Sequence, residues 1–138
     1  MDDCVFCSIV DGNIPGHTVY ETDRVLAFLD ANPLREGHTL VIPKAHHERL
    51  GDLPDDLAGA LFEVAHRLPR AMEDSLDADG ATVAVNDGPA AGQEVPHVHA
   101  HVVPRTDGDD DGPIHALFEG RPDVSDDRLA EIASAIEP

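Results

Sequence analysis

Three histidines alternate in His97-Val98-His99-Ala100-His101, with Val102 and Val103 after them. In a strand, alternate side chains share a face, so the three imidazoles point one way while Val98, Ala100 and Val102 point into a core. Each imidazole brings two ring nitrogens that need partners, and three on one face is not a packing solution. Two chemistries fit. Alternate histidines can ligate zinc and leave a position open for water. A neutral imidazole nitrogen can also attack phosphorus and form a covalent intermediate that water resolves. Spacing alone does not separate the two. Cys4 and Cys7 are the only cysteines. In a reducing compartment Cys-x-x-Cys suggests metal or redox chemistry, and no thioredoxin-like βαβ pattern follows it. His17, His66 and His115 read as surface or packing residues. The Asp107–Asp111 run reads as a solvated loop, because it lacks a calcium-loop pattern.

The elements that must carry these residues follow from pattern. Thr18–Glu21 and Arg24–Leu29 read as two strands joined by a tight Thr22-Asp23 turn. Asn32–Gly37 is a loop containing Pro33, and Thr39–Pro43 is a strand apolar enough to be buried on both faces. Leu57, Leu61, Val64, Ala65, Leu68 and Met72 recur at helical spacing, with start signals at Asp52 and Pro54. Pro69 is expected to kink or end that helix, and Gly80 to close the segment. Ala81–Asn86 alternates as a fourth strand, Asp87–Gly92 is a Gly/Pro loop, and Val98–Pro104 is a fifth strand. Ser125 is placed to cap a short last helix running to about Ile136. Short, hairpin-like spacings around one long helix predict an α+β layout over residues 1–138 as a single domain, with an acidic tail over about 106–138. Pro89 and Gly92 sit just before the last strand, where a tight loop can present backbone N–H groups to a ligand.

Composition narrows the class. The chain carries 28 acidic against 9 basic residues, a net charge of −19, and its one lysine is Lys44. Self-repulsion of this size weakens the compact state at low salt and is screened at high salt, as in proteins of salt-accumulating halophiles. It argues against general nucleic-acid affinity, which needs a basic face. Apolar runs such as Val25–Leu29 are too short to span a membrane. Asp2 and Asp3 stand where a signal peptide would be basic, so a cytoplasmic location is expected.

The ordered motifs resemble the histidine-triad (HIT) superfamily, in particular its prokaryotic Hint-like group, over nearly the whole chain. Its signature is matched by Gly88-Pro89-Ala90-Ala91-Gly92-Gln93, then Val95-Pro96 and the triad. Cys4-Val5-Phe6-Cys7, Phe28-Leu29-Asp30, Gly37 to Lys44, and Val85-Asn86-Asp87-Gly88 match further segments in order. The resemblance implies a HIT fold: a five-stranded antiparallel sheet, one main helix and a short C-terminal helix. It implies that His99 is the nucleophile toward a nucleotide α-phosphate. His101 would contact that phosphate and help protonate the leaving group, with His97 in support and His38 packed beneath the triad. Asp30 falls on the carboxylate that holds the ribose hydroxyls, and Phe6 and Ile9 on apolar positions of the base pocket. Asn86, Gly92 and Gln93 fall around the phosphate.

By the same resemblance, Cys4, Cys7, His46 (or His47) and His97 would hold a structural zinc, a Cys2His2 set that satisfies a closed tetrahedral site. A homodimer is implied, as is an AMP-like purine nucleotide ligand. Glu94 departs from the pattern. It stands where the Hint branch has a serine that donates to the leaving group, and a carboxylate cannot donate at neutral pH. The expected activity is hydrolysis or transfer of phosphoramidate-like nucleoside monophosphate derivatives. Three readings stay beside it: dinucleoside polyphosphate hydrolysis, as in the fragile-histidine-triad branch; a non-catalytic purine-nucleotide-binding regulatory module; and a catalytic metal at the triad.

Overall fold

A computed structural model describes residues 3–138; Met1 and Asp2, part of the acidic opening, lie outside the described residues. Five strands form one antiparallel sheet in the order β1-β2-β3-β5-β4. They are β1 (Thr18–Glu21), β2 (Val25–Leu29), β3 (Thr39–Pro43), β4 (Gly80–Val85) and β5 (Ala100–Arg105). Three helices accompany them: α1 (Val5–Val10), α2 (Asp55–Leu76) and α3 (Asp126–Ile136). The α+β layout expected from sequence is therefore the one observed.

Pairing fixes which residues share a face. Leu26 lies opposite Ile42 and Phe28 opposite Leu40. Leu40 in turn lies opposite His101, and His101 opposite Ala84. These residues form one face of the sheet. Val25, Ala27, Val41, Ala100 and Val102 form the other and pack under α2. As expected, β3 is buried on both faces, because α2 covers one and Phe6 and Cys4 help cover the other.

Pro69 does not end the long helix: α2 continues to Leu76. Proline removes one helical donor and clashes with the preceding turn, at a cost of about 3 kcal/mol. Burial of Leu57, Leu61, Val64, Ala65, Leu68 and Met72 supplies roughly 10 kcal/mol as an upper bound, so packing wins. The helix stops where Asp77 turns left-handed at φ 57°. Gly80 opens β4 instead of closing the helical segment.

The last strand starts at Ala100, two residues later than its alternation predicts. His97 to His99 precede it without ladder pairing, and Val98 N–H instead donates to the His47 carbonyl at 2.8 Å. Ser125 caps α3 as expected, its Oγ accepting from Arg128 N–H at 3.1 Å. The α1 helix was not foreseen. It is six residues long, and its cap is the Cys4 thiol, which accepts from Cys7 N–H at 3.4 Å. No helix among the described residues is long and apolar enough to cross a membrane.

Candidate active site

The triad occupies the sheet face opposite α2, between α1 on one side and the chain after β5 on the other. Val98, Ala100 and Val102 are buried under α2. The imidazoles therefore have only the other face, and each is held there by a distinct partner.

His97 is fully buried, and its Nε2–H donates to the Pro43 carbonyl at 2.8 Å. A carbonyl only accepts, so the His97 proton is on Nε2 and the Nδ1 lone pair is free. That lone pair faces Cys4 Sγ at 3.4 Å and Cys7 Sγ at 3.7 Å. His46 Nδ1 is 3.4 Å from Cys7 Sγ. The four ligand atoms all lie within 4.8 Å of one another. Of the two histidines the sequence offers here, His46 joins the cluster. His47 instead contributes its backbone carbonyl to Val98. Two thiols and two imidazoles, one tautomer already fixed by a backbone carbonyl, is a donor set suited to tetrahedral zinc. Burial and the neighbouring Cys4 push the Cys7 thiol above its ordinary pKa.

His99 donates from Nδ1 to the His97 carbonyl at 2.8 Å. By the same logic its Nε2 carries a lone pair and no proton. Its ring meets the Phe6 edge, with centroids 5.1 Å apart, and the His101 ring at 5.0 Å.

His101 has the opposite tautomer, set through His38. Leu34 N–H donates to His38 Nδ1 at 3.1 Å, which leaves the His38 proton on Nε2. His38 Nε2 is 2.9 Å from His101 Nδ1 and donates to it. The His101 proton then sits on Nε2, free to donate a hydrogen bond. Burial, with help from His99 and His38, lowers the His101 pKa to about 4. Burial also lowers His38, against the pull of Asp30, and lowers His97. The face thus pairs an imidazole acceptor at His99 with an imidazole donor at His101, an arrangement able to attack one atom and hydrogen-bond to its neighbour.

Of the remaining expected residues, Phe6 packs on His99, Asp30 lies by His38 and Asn86 borders a cavity with His101. Asp30 Oδ2 is 3.7 Å from His38 Nδ1, while its Oδ1 accepts from Asn32 N–H at 2.9 Å. One oxygen thus serves a turn. Phe6 is buried, its ring packed on Phe28, His97 and His99. Ile9 is half-buried beside it. Asn86 is half-buried and shares a cavity wall with His101.

The Gln93 side chain is committed to its own loop. It accepts from Gly88 N–H at 2.7 Å and donates to the carbonyls of Glu48 and Val95 at 2.7 and 3.0 Å. It braces a loop whose turns need Gly88 at φ 91° and Gly92 at φ 93°. Glu94 is exposed. His17, His66 and His115 are exposed too.

Two braces escaped the sequence reading. Asp87 accepts from Leu50 N–H at 2.8 Å and from Arg49 Nε at 3.2 Å, contacts that hold its pKa below the usual carboxylate value. Arg105 grips both Asp109 oxygens, at 2.7 and 2.9 Å, and donates to Thr82 Oγ1 and to the carbonyls of Asp111 and Gly112. The acidic run is therefore more than a solvated loop, since Asp109 is half-buried and held in this grip. The i,i+4 spacing of Arg105 and Asp109 was the available signal.

The HIT domain family model matches residues 11–108. An uncharacterised HIT-like protein of Methanocaldococcus jannaschii is 46% identical over 106 residues, covering 77% of this chain and 81% of its own. An adenylylsulfatase of Arabidopsis thaliana is 39% identical over 109 residues, covering 79% of this chain and 55% of its own. Among solved structures, a zinc-bound histidine-triad protein of Mycobacterium smegmatis superposes with a TM-score of 0.78 at 41% identity, covering 97% of this chain and 98% of that one.

Proposed function

Because the chain belongs to the HIT domain family, we propose that it cleaves or transfers nucleoside monophosphate derivatives at the α-phosphorus through a covalent intermediate on His99. One observation carries this reading. The His99 Nδ1–H bond to the His97 carbonyl leaves Nε2 as a bare acceptor, next to a His101 ring whose Nε2–H is a donor. A strand of merely structural histidines has no reason to hold neighbouring rings in opposite tautomers.

His99 Nε2 attacks phosphorus. His101 Nε2–H donates a hydrogen bond to the departing atom and stabilises the charge that develops there. His38 acts as a positioning residue by fixing the His101 tautomer. Asp30 is the carboxylate for the ribose hydroxyls, and Phe6 and Ile9 line the base side. Asn86 and the Gly92–Gln93 loop border the phosphate. The substrate's nucleoside is an AMP-like purine. A plant relative named for adenylylsulfatase activity is consistent with chemistry at an adenylyl phosphorus.

Cys4, Cys7, His46 and His97 would hold zinc, supported by the tautomer of His97 and by the zinc-bound relative. Its role there is structural: it would tie α1 to the backbone that carries the His97 carbonyl. The unpaired edge of β4, with Val83 and Leu76 exposed nearby, supports a homodimer. Reduced thiols suit a cytoplasmic location.

The test is hydrolysis of adenosine 5′-phosphoramidate in high-salt buffer by the native chain and by His99→Ala, with mass spectrometry for an adenylyl adduct. The expected result is AMP release and an adduct in the native protein, both reduced by ~10³-fold or more in the variant, with AMP binding kept. Turnover unchanged in His99→Ala would overturn the mechanism, and AMP binding without turnover in the native chain would make it a binding module. Elemental analysis of the purified protein should find about one zinc per chain, lost in Cys7→Ser.

A further inference from the structure

Two of the three triad histidines stand outside the sheet ladder. His97 to His99 precede β5, so contacts other than strand pairing must fix the peptide unit between His97 and Val98. That unit is planar, and its carbonyl and N–H point in opposite directions. The carbonyl accepts from His99 Nδ1–H at 2.8 Å, and the N–H donates to the His47 carbonyl at 2.8 Å. Both bonds depend on one rigid plane, so turning the unit to lose one loses the other. The acceptor that keeps the His99 proton on Nδ1 is thus aimed from behind by the backbone of His47. Each bond also polarises the unit in favour of the other.

His47 lies in the connection between β3 and α2, and this connection is tied to the loop that precedes the triad. Gln93 Nε2 donates to the Glu48 carbonyl at 2.7 Å. The Arg49 guanidinium lies against Gly88, where an added Cβ would meet its Cζ at 2.9 Å. Asp87 makes the third tie. Its Oδ1 accepts from Leu50 N–H at 2.8 Å and from Arg49 Nε at 3.2 Å. Leu50 opens a short turn, Leu50–Asp52, so its N–H is one of the donors that such a turn leaves without a partner of its own. The Leu50 side chain packs on the core under α2, so the connection is anchored on its other flank. Asp87 follows closely on β4, whose last residue, Val85, lies opposite Ala100 of β5. It therefore joins the sheet beside the triad to the segment that aims the His97 carbonyl.

We infer that Asp87 is a positioning residue for the nucleophile: by holding Leu50 N–H it fixes the connection whose His47 carbonyl aims the His97–Val98 peptide at His99. Its effect on rate rests on the reading of His99 as nucleophile; its effect on the His99 ring does not. Asp87 acts through the backbone and touches no reacting atom. What it controls is the share of chains in which His99 Nε2 is a bare acceptor, because a proton no longer tied to Nδ1 can occupy Nε2 instead. That share sets kcat. Asp30 and Phe6 keep their places when Asp87 is changed, so KM is not the parameter that moves.

The experiment removes one bond from each of its ends. Asp87→Ala deletes the acceptor. Leu50→Pro deletes the donor at a site where proline fits, because Arg49 before it is extended at φ −121° and ψ 150°. Asp87→Asn keeps an oxygen that accepts from Leu50 N–H. Each chain is measured as purified and at the same salt, by kcat and KM on adenosine 5′-phosphoramidate and by NMR of the His99 ring nitrogens. The native ring should show a protonated Nδ1 and a bare Nε2. Asp87→Ala and Leu50→Pro should each lower kcat by ~10-fold or more with KM within ~2-fold, and each should turn the His99 ring into a mixture of tautomers. The double variant should fall no further than either single one, because both remove the same bond. Asp87→Asn should recover most of the rate and the single tautomer. An Asp87→Ala chain that does not fold leaves Leu50→Pro to decide by the same readouts. An unchanged tautomer in the folded variants, a loss carried by KM, losses that multiply in the double variant, or an asparagine variant as slow as the alanine one would each overturn the inference. A native chain without turnover, whose His99 ring still loses its single tautomer in Asp87→Ala, would overturn the reading of His99 as nucleophile and leave the positioning of the ring established.

Discussion

Acid should unfold this protein partly through one ring. His101 has its pKa lowered from 6.5 to about 4, first by burial and then by the adjacent His99 and His38. In the unfolded chain the ring titrates at its ordinary value. Between the two values the unfolded state binds a proton that the folded state refuses, so stability falls as pH drops through that window. Near pH 7.5 both states are neutral and the effect vanishes; by about pH 4.5 the loss reaches ~2.5 kcal/mol. A good control is His101→Asn, whose side-chain oxygen still accepts from His38 Nε2–H but does not titrate. Stability of both chains would be measured by denaturant unfolding across this range. Carboxylate protonation and any acid release of metal from the Cys4, Cys7, His46 and His97 cluster occur in both chains and cancel in the difference. The stability difference between native and variant should therefore shift against the native chain by ~2.5 kcal/mol on acidification. A difference constant to within ~0.5 kcal/mol would mean that His101 titrates at its ordinary value when folded, and the argument from burial would fail.

Two further outcomes are expected. Gly37 sits at φ 98°, where an added Cβ would lie 2.6 Å from Leu76 Cδ1 and 3.2 Å from Pro104 Cγ. Gly37→Ala should cost ~2–3 kcal/mol by denaturant unfolding, through left-handed strain and pressure on the strand that carries His101; a cost under ~0.5 kcal/mol would show that the loop relaxes freely. The melting temperature should rise by roughly 5 °C or more from low to molar salt, because screening relieves the net charge of −19; a flat profile would remove the halophile reading.

The sequence by itself determined the sheet and its chemistry-bearing face. Alternation placed Val98, Ala100 and Val102 inward and the three histidines together on the other side, because strand geometry allows only that division. Helical spacing located α2 from local pattern alone, and the Ser125 cap located α3. What sequence misjudged locally, tertiary contact overruled. Pro69 stays inside a helix because six buried side chains outweigh one lost donor. The last strand begins at Ala100 because His47 draws Val98 N–H out of the ladder. Only the folded chain decided the proton positions. The tautomers of His97, His99 and His101 depend on Pro43, on the backbone carbonyl of His97 itself, and on a relay from Leu34 through His38. Two of those partners lie tens of residues away, at distances no periodicity encodes. The same holds for the bond from Arg105 to Thr82 Oγ1. A sequence lists donors and acceptors, but which pair meets is fixed by the register of antiparallel strands and the loops that close over them.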